Sequence, residues 1–154
     1  MDAFPHRYVV KASGQVAGAV ELSADDVSPL LSASPRQFGG PGDLWSPETL
    51  LVGAVADCFV LTFRAVARAS QLEWTSLECA VTGTLDRVER ATQFTGFDLR
   101  ARLMVPPGVS PDAARRVLEK AERNCLITSS LKGPVHLDAT IAVAELTMAG
   151  VLAG

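Results

Sequence analysis

What this chain of 154 residues lacks already removes several kinds of chemistry. It has two histidines, His6 and His136, and no pair at a spacing that binds a metal. His136 alternates with apolar neighbours and is expected on the solvated face of a strand. Its three cysteines, Cys58, Cys79 and Cys125, include no CxxC pair, so a structural zinc site is excluded and isolated thiols remain, as buried filler or redox groups. No GxSxG string supplies the nucleophile elbow of a hydrolase. Gly39, Gly40 and Gly42 precede a helical pattern, but no strand leads directly into them and no Lys-Ser/Thr follows, so they read as a turn rather than a phosphate loop.

Charge is scarce in blocks of either sign. Lys plus Arg total 14 against 17 for Asp plus Glu, a net charge of −3 without a basic run, which argues against a nucleic-acid partner. The central apolar run from Leu50 to Ala56 is cut at Asp57, short of the roughly 20 residues that span a bilayer, so no membrane partner is expected. The opening MDAFPHRYVV carries Asp2 and no basic stretch ahead of an apolar one, unlike a secretory signal, and a cytoplasmic location is expected. Repeats and low-complexity segments are absent. With 48% apolar and 20% charged residues, the chain is expected to form a single domain over residues 1–154.

The patterns present set the element order. Tyr8 to Ala12 and Gln15 to Leu22 flank Ser13-Gly14 and predict a hairpin, after which Ser23 to Trp45 reads as a long surface loop. Ser46-Pro47-Glu48 supplies an N-cap, a first-turn proline and a helix-start acid. The helix is expected to reach about Gln71, with a break weighed near Gly53. Leu51, Ala54, Val55, Cys58, Leu61, Thr62 and Ala65 form its expected core stripe, and Asp57, Arg64, Arg68 and Gln71 its polar edge. Leu77 to Asp86 and Phe97 to Val105 alternate as strands, Ser110-Pro111 starts a second helix, and Val135 to Val143 alternates as a last strand. A weakly patterned tail follows from Leu146 to Gly154. The order predicts an α+β fold with an antiparallel-rich sheet covering central helices.

On residue type alone, Cys79 reads as a small hydrophobe between Leu77 and Val81. Cys58 and Cys125 lie on core-facing helix stripes beside charged or polar neighbours, where spacing alone favours buried filler over a redox role. Glu48 is equally natural as a helix-start acid.

Two strings shift this balance. SPETLLVGAVADCF at residues 46–59 and EKAERNCLITSSL at residues 119–131 resemble the paired signatures of the OsmC-like family, which includes the osmotically inducible protein C and organic hydroperoxide resistance groups. The resemblance implies an intertwined homodimer whose sheets wrap around paired central helices. It implies a thiol-dependent peroxidase acting on organic hydroperoxides, with hydrogen peroxide as a further oxidant. It also implies Cys58 as the attacking cysteine, Cys125 as a resolving cysteine close to it in the same subunit, and Glu48 as the carboxylate of the site.

The hydroperoxide resistance group carries an arginine in its first hairpin where this chain has Ser13-Gly14-Gln15, so Arg36, in the loop before the helix, is the expected substitute. A guanidinium would stabilise the thiolate at every working pH, and Glu48 would orient it. No bound cofactor is expected. An external dithiol, a lipoylated protein or a small thiol, would reset the disulfide. The competing readings are a hydrophobic-ligand-binding module of the same fold and a purely structural dimer.

Overall fold

Ser46 fixes where the longest element begins. Its amide donates to Thr49 Oγ1 at 2.8 Å while its hydroxyl accepts from the Thr49 amide at 3.1 Å, a reciprocal cap that satisfies donors of the first turn. Helix α1 then runs without interruption over Pro47–Ala69, so the break weighed near Gly53 does not occur. The helix stops two residues before the expected end, and Gln71 takes a left-handed φ of 53°. The computed structural model describes residues 3–145, and the backbone divides into two compact units, Met1–Leu51 and Val52–Gly154. The tail from Leu146 to Gly154 lies outside the described residues.

In the first unit, β1 (Lys11–Ser13), β2 (Val20–Ser23) and β3 (Leu30–Ser32) form an antiparallel sheet in that order. The expected hairpin exists, but Ser13 pairs with Glu21, so the chain reverses over residues 14–19 rather than at Ser13-Gly14. Gly18, at φ 96°, takes a conformation in that loop that L side chains rarely adopt. The expected surface loop from Ser23 to Trp45 is partly ordered structure. It contains β3 and a 3₁₀ turn at Arg36–Phe38, and its end returns to the sheet where the Ala33 amide donates to the Trp45 carbonyl at 2.8 Å.

The second unit holds a sheet of β4 (Ser76–Val88), β5 (Ala91–Val105) and β6 (Val135–Val143), in that order. β4 and β5 are antiparallel. β5 and β6 are parallel, a connection that needs a crossover, and helix α2 (Pro111–Arg123) provides it. Alternation places Phe97, Leu99, Ala101, Leu103 and Val105 in the core and leaves Asp98, Arg100 and Arg102 exposed. His136, on β6, is exposed as expected. The architecture is α+β and antiparallel-rich, as the sequence predicts, with one parallel pair.

The core stripe of α1 differs from the expected one. Val55, Phe59, Phe63 and Ala67 are fully buried, whereas Leu61 is 51% exposed and Ala65 is exposed. The helix is apolar on most sides, and the large rings decide which face turns inward: burying each phenylalanine contributes about 1.5–3 kcal/mol. Phe63 meets Trp74 edge-on at 5.2 Å. Close approach of α1 to β4 explains Gly83, where an added Cβ would lie 2.6 Å from Val52 Cγ2. On α2, Ala114, Val117, Leu118 and Ala121 are buried as expected.

By length and apolarity α1 as a whole could cross a bilayer, a property that its longest uninterrupted run understates. Four of its side chains are nevertheless packed as the core of the second unit, which is what a core helix does.

Candidate active site

The site grows from the middle of α1 and the turn after α2. Cys58 lies in the middle of α1, half-buried beside the fully buried Phe59. Cys125 follows the end of α2, where Asn124 caps the helix by donating its amide to the Lys120 and Ala121 carbonyls, both at 3.2 Å. The Cys125 carbonyl then accepts from the Ser129 hydroxyl at 2.8 Å, the Thr128 hydroxyl at 3.1 Å and the Ser129 amide at 3.1 Å. Three donors on one acceptor pin the turn that carries the thiol.

This folding brings together the two cysteines, which lie 67 positions apart in sequence. Their thiols lie near enough for each to shift the ionisation of the other. Burial by itself would push the Cys58 thiol up. It is outweighed by the Ile127 amide, the Cys125 thiol, the Thr62 hydroxyl and the Leu126 amide, which together hold Cys58 below the ordinary thiol value. Cys125 moves the opposite way. Its burial raises it and the neighbouring Cys58 raises it further, against the lowering effect of the Thr128 amide and hydroxyl. The two directions agree: of the pair, ionisation is favoured at Cys58 and disfavoured at Cys125. Such a division is what attack followed by resolution requires.

Cys79 faces inward from β4, and burial together with the charge on Cys125 pushes its thiol up to about 11. It is a poor source of thiolate at neutral pH, in keeping with a packing role.

The other expected residues belong to the first unit. Glu48 lies in the first turn of α1, and its Oε2 is buried without a hydrogen-bond partner among the described residues. Arg36 opens the 3₁₀ turn at Arg36–Phe38, and its side chain passes so close to Gly42 that an added Cβ there would lie 2.1 Å from Arg36 Nε. Among the described residues, no group of histidine, cysteine and carboxylate side chains could hold a metal. A cleft of about 240 Å³ lined by Ser70, Leu72, Ala113, Arg116, Val117 and Lys120 includes neither Cys58 nor Cys125 and is not the place of this chemistry.

Sequence reasoning missed three groups at the sulfur. Thr62 Oγ1 lies 3.8 Å from Cys58 Sγ, four residues on along the helix, and a hydroxyl in an otherwise apolar stripe was the available signal. The Leu126 and Ile127 amides left no signal, because any residue except proline offers one.

A two-thiol site of this kind, on an α+β fold with a central apolar helix, defines a class of small thiol proteins. The family model described as OsmC-like protein matches residues 40–140, and the chain belongs to that family. It is 25% identical over 144 residues to the organic hydroperoxide resistance protein of Xanthomonas axonopodis pv. citri, covering 91% of this chain and 99% of the relative. It is 27% identical over 112 residues to the uncharacterized protein YmaD of Bacillus subtilis, covering 71% and 75%. An OsmC-like protein of unknown function from Vibrio cholerae has the same fold, with a TM-score of 0.81 at 17% identity over 88% of this chain and 100% of that one.

Proposed function

We propose that this protein is a thiol-dependent peroxidase that reduces organic hydroperoxides, with Cys58 as nucleophile and Cys125 as resolving thiol. The observation that carries the reading is the juxtaposition of the two cysteines, with Cys58 lowered and Cys125 raised. The family and the named hydroperoxide resistance relative support the reaction class.

The Cys58 thiolate attacks the terminal oxygen of ROOH, the O–O bond breaks, and the alkoxide takes a proton and leaves as ROH. Cys58 is then a sulfenic acid. The Cys125 thiol loses its proton and its sulfur attacks Cys58 Sγ, so hydroxide leaves as water and a disulfide forms. An external dithiol of the lipoylated or small-molecule type supplies two electrons and two protons, becoming a disulfide itself. The cycle needs no bound cofactor.

Arg36 and Glu48 complete the proposed site. A guanidinium is a natural partner for the buried Glu48 Oε2, and the same cation would favour the thiolate. Ten residues of continuous helix rise about 15 Å, too far for Glu48 to reach the Cys58 of its own chain. In a two-fold homodimer, Glu48 of one copy would serve Cys58 of the other. The exposed apolar side chains Leu61 and Leu126, 51% and 77% accessible, support a partner surface beside the thiols.

The test is hydroperoxide consumption with several dithiol donors, by the wild type and by Cys58→Ser. The expected result is turnover by the wild type and none by the variant. A wild type that holds a hydrophobic ligand but consumes no hydroperoxide with any donor would replace the reading with a binding module.

A further inference from the structure

The thiolate donors around Cys58 include one side-chain hydroxyl from its own helix. We propose that Thr62 belongs to the active site: its hydroxyl donates to Cys58 Sγ and selectively stabilises the ionised sulfur. The consequence for catalysis rests on the peroxidase reading, but the effect on the thiol does not.

Residues four apart lie on the same face, and helical side chains lean back over the preceding turn, so Thr62 covers the surface just beyond Cys58. A helical threonine commonly turns its hydroxyl toward the carbonyl of the residue four positions earlier. Here that residue is Cys58, and the hydroxyl's hydrogen bond is to the sulfur, at 3.8 Å. Sulfur is large enough for a bond of that length. Both residues are half-buried, which partly shields the bond from water.

Ionisation changes what the bond is worth. In the thiol form either group can donate, as a weak neutral pair. Once the proton leaves, only the hydroxyl can donate, and the bond becomes charge-assisted. Threonine therefore favours the thiolate while remaining uncharged. The turn after α2 faces the sulfur with the titratable Cys125 thiol and the uncharged Leu126 and Ile127 amides. Cys79, on β4, acts on Cys125, and Asp57, next to Cys58 on the helix, is exposed. Thr62 is the neutral side chain at the sulfur that can be altered while both cysteines are kept.

The experiment is peptide-resolved mass spectrometry of iodoacetamide alkylation at Cys58 across pH, in the reduced full-length protein, comparing wild type, Thr62→Val and Thr62→Ser. Valine keeps the shape and removes the hydroxyl; serine keeps the hydroxyl. The alkylation midpoint should rise by about half to one pH unit in the valine variant and return in the serine variant. Below both midpoints the valine variant should react about two- to fourfold slower, since a more basic thiolate is also the better nucleophile and offsets part of the lost fraction. Above both it should react at least as fast, a crossing of profiles that simple loosening of the helix would not give.

An unchanged midpoint in Thr62→Val, or a shift that Thr62→Ser fails to reverse, would overturn the proposal. If the valine variant does not fold, Thr62→Ala against Thr62→Ser makes the same comparison. Hydroperoxide turnover measured alongside separates the two readings: a shifted midpoint in a chain without turnover supports Thr62 and removes the peroxidase, and an unshifted midpoint with turnover does the reverse.

Discussion

Two glycines offer a matched test of whether Arg36 takes part in the reaction. Gly39 and Gly42 have φ of 80° and 77°, so an alanine at either suffers the same backbone penalty, about 1–2 kcal/mol. Their surroundings differ. An added Cβ at Gly39 meets nothing within 4 Å, whereas at Gly42 it would lie 2.1, 2.3 and 2.6 Å from Nε, Cγ and Cδ of Arg36.

The arginine is flexible and can leave, at a rotamer cost of about 0.5–1.5 kcal/mol, but it cannot stay where it is. Thermal denaturation should therefore show Gly42→Ala only slightly less stable than Gly39→Ala. Hydroperoxide kinetics should separate them widely. Loss of one charge-assisted bond, about 1.5–3 kcal/mol, predicts a fall in kcat/KM of about 10- to 100-fold in Gly42→Ala and little change in Gly39→Ala. Arg36→Ala should fall at least as far, and adding Gly42→Ala to it should cost no further activity. Equal activities in the two glycine variants, or full activity in Arg36→Ala, would mean that Arg36 takes no part in the reaction and would point to another cation such as Arg7.

Other consequences follow from single contacts. With the Cys79 thiol raised from 9.0 to about 11, the unfolded chain releases that proton before the folded one does, so stability should fall as pH rises through this window. Denaturant midpoints of Cys79→Ala should show a shallower fall. Ser110 accepts the Ala113 amide at 3.3 Å to cap α2, and Ser110→Ala should lower stability by about 1 kcal/mol by chemical denaturation, with activity retained below the new midpoint. Mixing Glu48→Ala with Cys58→Ser chains should recover part of the activity if the site is shared between copies, and mass-verified heterodimers without recovery would remove the shared site.

The sequence was most readable where one face of an element is polar. Phe97 to Val105 and Val135 to Val143 alternate cleanly because their outer faces carry Asp98, Arg100, Arg102, His136 and Asp138, and Ser110-Pro111 marks the start of α2. Helix α1 shows the converse. Apolar residues surround most of it, so periodicity could not choose between the expected stripe and the one led by Phe59 and Phe63. Strand β3 is three residues long between Pro29 and Ser34-Pro35, too short for alternation to register.

At the site, residue type and resemblance nominated Cys58 and Cys125, and the fold brings their side chains into contact. The groups besides Cys125 that bear on the sulfur's ionisation were harder to read. Two are backbone amides, and the third is a hydroxyl whose meaning depends on where the helix faces.

A two-cysteine peroxidase must leave one covalent product. Reduced protein should be treated with one equivalent of an organic hydroperoxide per chain, quenched by alkylation, digested without reductant and mapped by mass spectrometry. The prediction is a disulfide joining Cys58 to Cys125 of the same chain, with Cys79 recovered alkylated, and in Cys125→Ser a sulfenic acid on Cys58. A product that leaves Cys58 and Cys125 alkylated, or a disulfide or sulfenic acid on Cys79, would contradict it.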